Sequence, residues 1–294
     1  MNSTSGAIAA PTNGWTGGQY SVFRAVFGAY LFVHFVHLVP WSAELFSRDG
    51  MIGIASASPL YGLFPNPLFL WDSPMVATAM TVLGAGLSLS FATGFRDRIA
   101  SVLLWFIWAC LFTRNPLIGN PGLPYVGWLL IAHSFLPRRP FGSLDARGAD
   151  GANEGWRMPQ GIYVAAWISM AVGYSYSGAT KLVSPSWIDG TALLHVLSNP
   201  LARPTFLRET LLTLPLPIIA VATWGALATE LLFAPLALLS RLRPWLWLAL
   251  LCMHFGLMSL IDFADLSAGM VMLHLFTFDP RWLHDLRTAG VRAT

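Results

Sequence analysis

Residues 211–239 read LLTLPLPIIAVATWGALATELLFAPLALL, and Glu230 is the one charged residue in the run. A helix of roughly 20 apolar residues crosses a hydrocarbon core about 30 Å thick, so this stretch is long enough to span a bilayer. Seven further apolar segments surround it: Tyr20–Pro40, Pro74–Phe95, Ile99–Thr113, Tyr125–Leu136 and Gln160–Ala179 before it, then Pro244–Ile261 and Leu266–Phe278 after it. The pattern predicts an all-α polytopic membrane protein with about eight transmembrane helices.

Composition agrees. Of 294 residues, 55% are hydrophobic and 11% are Asp, Glu, Lys or Arg, against about 25% charged in an ordinary soluble domain, and the mean hydropathy is +0.59. A chain with so little charge cannot coat a water-facing surface, which excludes a soluble enzyme, a disordered chain and a secreted disulfide scaffold. Cys110 and Cys252 lie in apolar runs without a CxxC and read as small space-filling hydrophobes. The net charge of +3 forms no basic stripe, so no nucleic-acid partner is expected; the partner is the lipid bilayer.

Between the spans, residues 41–73 are broken by Pro59, Pro65 and Pro67 and are expected to lie at the interface or re-enter the bundle. Ser184 before Pro185 is a helix-start signal, and the short helix after it would lie at the surface or in a cavity mouth. Residues 1–19 are expected to be a mobile tail with no cleavable signal peptide, 20–285 the bundle, and 286–294 a second tail. Eight crossings put eleven basic residues on one side: Arg96, Arg98, Arg138, Arg139, Arg147, Arg157, Arg241, Arg243, Arg281, Arg287 and Arg292. Five fall on the other: Arg48, Arg114, Lys181, Arg203 and Arg208. The positive-inside rule then places both termini in the cytoplasm, in the cell membrane, with Lys181 facing outward.

Lys181 is the one lysine among seventeen basic residues. Unlike arginine, a lysine in an apolar pocket can give up its proton and act as a base; the competing reading is an interfacial side chain that snorkels to the headgroups. Glu230 is either functional or half of a buried ion pair, with Arg24, His254 and His34 as available partners. His254 and His274 lie in apolar helices. His34 and His37 share one helix face, but no matching acidic or His pair accompanies them and no metal site is predicted. His195 lies on the short helix near Lys181.

The stretch Tyr176-Ser177-Gly178-Ala179-Thr180-Lys181-Leu182, followed by Trp187-Ile188-Asp189-Gly190, resembles the segment of vitamin K-dependent γ-carboxylases that carries their catalytic lysine. Arg24–Gly28, Gly94–Ile99 and Val271–Leu273 are similar, in the same order, to pieces of the HTTM domain that these enzymes share with many bacterial proteins. The resemblance runs over roughly residues 20–285. It implies a multi-span bundle in which Lys181 deprotonates a reduced quinone resembling vitamin K hydroquinone. Oxygen then makes a base strong enough to remove a glutamyl γ-proton, and carbon dioxide traps the carbanion.

By the same resemblance Glu230 and His254 are site residues beside Lys181, and Tyr125, Tyr176 and Trp187 would contact the cofactor. Where the carboxylases have an Asn-Asn-His-Ser-Tyr stretch, this chain has Gly119–Tyr125 without a histidine, and no counterpart of their large β-rich lumenal region is expected. The implied function is a quinol-linked enzyme acting on a secreted peptide or a small lipophilic substrate. The alternative is a non-catalytic membrane component that assists assembly, export or maturation of such a peptide.

Overall fold

The structure, a computed structural model, describes residues 13–147 and 155–282. Among these residues every regular element is a helix, apart from one isolated bridge between Ala202 and Ile261. The longer helices are α1 (Gly17–Leu38), α2 (Pro74–Thr93), α3 (Asp97–Arg114), α4 (Leu123–Ser134), α5 (Gln160–Lys181), α6 (Leu216–Leu231), α7 (Arg243–Leu260) and α8 (Asp265–Thr277). Each falls on one of the apolar segments read from the sequence. Helices α1 to α4 pack in chain order, α5 pairs with α6, and α7 pairs with α8. Helix α8 also touches α1, α4 and α5, which joins the two halves.

Two helical stretches are long and apolar enough to cross a membrane by themselves, Gly17–Phe46 and Pro74–Thr93; counting a bent pair as one span makes three. The rest are shorter or more polar. Helix α3, for example, carries Asp97, Arg98 and Arg114, and α4 has only 12 residues.

Local chemistry sets the helix ends. Thr16 and Gln19 form a reciprocal capping box at the start of α1. Ser73 caps α2, with Pro74 in the first position. The expected tail is partly packed: Trp15 is 4% exposed and donates its indole N–H to the Phe278 carbonyl at 2.9 Å. Residues 1–12 and the expected tail 286–294 lie outside the described residues.

The broken segment 41–73 folds over the far end of α3. Asn66 donates to the Cys110 carbonyl at 2.7 Å and Ser58 to the Thr113 carbonyl at 2.7 Å. Of these, the Thr113 carbonyl is one that a helix C-terminus leaves without an intrahelical partner.

The sixth segment, expected as one span, is broken twice. Phe206–Leu212 meets α6 at 114°, because Pro215 and Pro217 cannot continue a helix through the turn. Pro235 lacks the N–H that would bond the Leu231 carbonyl, and the helix stops at Leu231 before a short turn, Phe233–Ala237. Ser175 of α5 enters this second gap. The Ala234 N–H donates to Ser175 Oγ at 2.9 Å, and that hydroxyl donates on to the Glu230 carbonyl at 3.4 Å. A side chain inserted into the helical ladder is a recognised cause of a kink, and here it leaves Glu230 in the last turn of α6, facing α5.

The loops gather at two ends of the bundle. At one end Arg98 bonds the Leu136 carbonyl, Arg96 N–H the Asp145 carboxylate, and Asn13 the Met158 carbonyl. At the other, Arg114 bonds the Ile52 carbonyl and Arg203 pairs with Asp262. The Arg-rich loops share the first end.

Candidate functional site

Helices α5 and α6 can approach closely because Gly178 lies at their contact: a Cβ there would stand 2.5 Å from the Leu231 nitrogen. Their facing side chains form an ion pair between Lys181 Nζ and Glu230 Oε2. Both are shielded, with side chains 21% and 6% exposed. Lys181 also donates to Ser177 Oγ at 2.8 Å, one helical turn back. Its ammonium lies 4.9 Å from the centre of the Trp187 ring, a cation–π distance.

Trp187 is held there by the segment that follows α5. Pro185–Ile188 and Ala192–Leu197 are short helices packed on the first half of α6. The Trp224 indole donates to the Ile188 carbonyl at 3.1 Å, and Leu193 N–H donates to Thr223 Oγ1 at 3.2 Å. Gly190 makes the turn possible: its φ is +83°, and a Cβ would come within 2.6 Å of the Ala220 Cβ. Thr191 donates its hydroxyl and its N–H to the exposed Asp189 carboxylate, holding that group below its usual range.

Beside the pair lies a cavity of about 370 Å³, lined by Tyr125, Tyr176, Lys181, Glu230, His254 and Met270 among others. His254 Nε2 lies 2.7 Å from the Tyr174 hydroxyl, and its Nδ1 lies 3.1 Å from Ser267 Oγ. Tyr174 is also 3.4 Å from His274 Nε2. His274 Nδ1 faces the Met270 carbonyl at 2.9 Å, an acceptor, so it carries the ring proton. Ser267, His254, Tyr174 and His274 thus form one buried row of hydrogen-bonding side chains.

The residues that the resemblance assigned to the site lie close together. Lys181, Glu230, His254, Tyr125 and Tyr176 line the same cavity, and Trp187 covers the amine. The partner of Glu230 differs from expectation. Arg24 is taken by Asp97 at 2.9 Å, His34 by Asp265 at 3.0 Å, and His254 by two hydroxyls; Glu230 belongs to Lys181. His195 is exposed and lies outside this cavity's lining.

Tyr174, Ser177 and Ser267 were missed. For the first two a signal existed, since they precede Lys181 by seven and four positions on one helical face. Ser267 carries none. Among the described residues no group of His, Cys, Asp or Glu is arranged to hold a metal ion.

No protein-family model matches the chain, and no solved structure matches it. It is similar to a protein of Bacillus subtilis (strain 168) described as "Uncharacterized protein YitO", with 27% identity over 198 residues, a stretch covering 63% of each chain. The chain thus spans less than two thirds of the length of that curated relative.

Proposed function

We propose that this chain is an eight-span membrane enzyme of the carboxylase-like kind, in which Lys181 acts as a base toward the acidic hydroxyl of a reduced quinone. One observation carries this reading: the single lysine and the buried Glu230 form a pair in the wall of a cavity that also holds His254, Tyr125 and Tyr176.

The cavity fits a quinol headgroup in size and chemistry. Ligand pockets begin at about 300 Å³, and this one, of about 370 Å³, combines Met253, Leu257, Leu266 and Met270 with a polar corner. Tyr125 and Tyr176 would hold the ring. A reduced quinone, when bound, supplies an acidic hydroxyl and reducing electrons.

The remaining work belongs to the chain. Glu230 Oε2 accepts a hydrogen bond from Lys181 Nζ and holds that nitrogen in the cavity wall. Ser177 and Trp187 keep the amine in place, and Trp187 shields it from water. The row from Ser267 through His254 and Tyr174 to His274 holds His254 in the cavity wall.

Membranes containing the chain, given reduced 2-methyl-1,4-naphthoquinone under air, are expected to consume the quinol faster than membranes carrying Lys181→Ala. Equal rates would overturn the enzymatic reading and leave the non-catalytic component in its place.

In the proposed topology the Arg-rich end, both termini included, is cytoplasmic and Lys181 opens toward the outside. The gathering of the Arg-rich loops at one end supports it. In a background lacking Cys110 and Cys252, Arg48→Cys is expected to react with an impermeant maleimide in intact cells. Arg147→Cys is expected to react only after the cells are opened. The reverse pattern would invert the topology and put Lys181 on the cytoplasmic side.

A further inference from the structure

Outside the cavity beside Lys181, a larger one of about 670 Å³ lies between α1 and the start of α8. Its wall holds His34, His37, Arg203, Asp262 and Asp265. Acidic and basic groups face it together, so it favours no single ligand chemistry. A groove of about 300 Å³ along α5 differs, because its polar residues gather at one end and its apolar ones run away from them. It shares no lining residue with either cavity.

Gln160 and Arg243, the first residues of α5 and α7, line the groove at the Arg-rich end, with Asp279 and Arg281. Val164, Ile168 and Ala171 follow along α5, and Ala234 and Leu238 complete the apolar wall. From Gln160 to Ala171 the helix rises roughly 16 Å, at 1.5 Å per residue. One leaflet of hydrocarbon is half of about 30 Å, so the groove is as long as one acyl layer is deep. Trp167 and Trp282 also line it, their ring centres 6.3 Å apart, and tryptophan favours the membrane–water interface.

The charges at the head of the groove do not cancel. Arg281 pairs with Asp279 at 2.6 Å. Arg243 donates its Nε to the Ala237 carbonyl at 2.6 Å, which anchors the side chain, and it forms no ion pair among the described residues. It is exposed, and arginine stays charged at every physiological pH. One cation is therefore left over at the head of an apolar groove.

We propose that this groove binds one anionic phospholipid from the leaflet at the Arg-rich end, with its phosphate on Arg243 and an acyl chain along Val164, Ile168 and Leu238. The proposal rests on the membrane setting of the chain and on nothing that Lys181 does. A guanidinium meets phosphate oxygens with parallel N–H donors. A zwitterionic lipid presents the same phosphate but brings its own cation, which Arg243 repels. Inorganic phosphate has the charge but no chain to fill the groove.

The test is native mass spectrometry of the full chain in detergent, with dioleoyl phosphatidylglycerol and dioleoyl phosphatidylcholine supplied in equal amounts. The wild type is expected to retain the anionic lipid about fivefold over the zwitterionic one, the order expected for one basic residue near an anionic surface. Arg243→Gln should bring that ratio below about twofold. Arg138→Gln, exposed at the same end but outside the groove, and Lys181→Ala should leave it intact. Inorganic phosphate should not displace the lipid.

A probe on the unmutated protein guards against a variant that fails to fold. Phosphatidylglycerol with a diazirine in its acyl chain should label residues 160–171 or 234–238, and the phosphatidylcholine analogue should label them several-fold less. The proposal is overturned by equal retention of the two lipids in the wild type, or by a preference that survives Arg243→Gln. A preference that falls equally in Arg138→Gln would assign it to the diffuse field of that end, and one lost in Lys181→Ala to the first cavity. Displacement by phosphate, or labelling spread evenly over the helices, would also overturn it.

Discussion

Replacing Glu230 with leucine is expected to lower the melting temperature in detergent sharply, and replacing Lys181 with methionine in the same chain is expected to restore most of the loss. Removing one member of a buried ion pair strands the other charge, at a cost of about 3–5 kcal/mol. Substituting both members by apolar residues of similar size is often neutral. Here the lower end applies, because the Lys181 side chain retains 21% exposure and still bonds Ser177. A double variant that melts no higher than Glu230→Leu alone would show that Glu230 stabilises the α5–α6 contact by something other than its pairing with Lys181. Glu230→Arg should be worse than Glu230→Leu, since it sets two cations face to face.

Lys181→Arg is expected to abolish quinol consumption as fully as Lys181→Ala while melting close to the wild type. Arginine preserves the positive charge, reaches Glu230 and stacks on Trp187, so every structural duty of Lys181 survives the exchange. What it cannot do is release a proton near neutral pH, and a positioned base contributes about a hundredfold to ten-thousandfold in rate. Activity in the Arg variant within a few-fold of wild type would mean that the residue holds Glu230 in place and that another group takes the proton.

The helices were legible because each falls on an apolar run, and most begin at a cap or a proline, as α2 does at Ser73-Pro74; α3 and α8 begin without either. The broken sixth segment was not. Pro215 and Pro235 were visible, but whether a proline bends a span or ends it depends on what fills the gap, and the filler, Ser175, comes from another helix. Lys181 and Glu230 each stood out as a lone charge in apolar surroundings. Their pairing did not, because a separation of 49 residues carries no period.

His34 shows the same limit from the other side. It shares a face with His37, but only one of the two meets an acid. His37 Nδ1 turns back to the Val33 carbonyl of its own helix at 3.0 Å, whereas His34 finds Asp265 across 231 residues of chain. Local spacing places a side chain on a face. The neighbouring helix decides what that face meets.

Helix α8 has little room to vary. Ten of its residues are buried, from Ser267 through His274 and at Phe276 and Thr277. It supplies Ser267 and Met270 to one cavity and Asp265 and Ala268 to the other. A surface helix can drift in sequence on its outer face while its inner face keeps the packing. A helix enclosed on all sides has no such outlet, so a substitution that enlarges one chamber presses on the wall of the next. Laboratory evolution toward new ligands should therefore accumulate changes on α1 and α5, which each border one of the two chambers, and leave α8 nearly untouched.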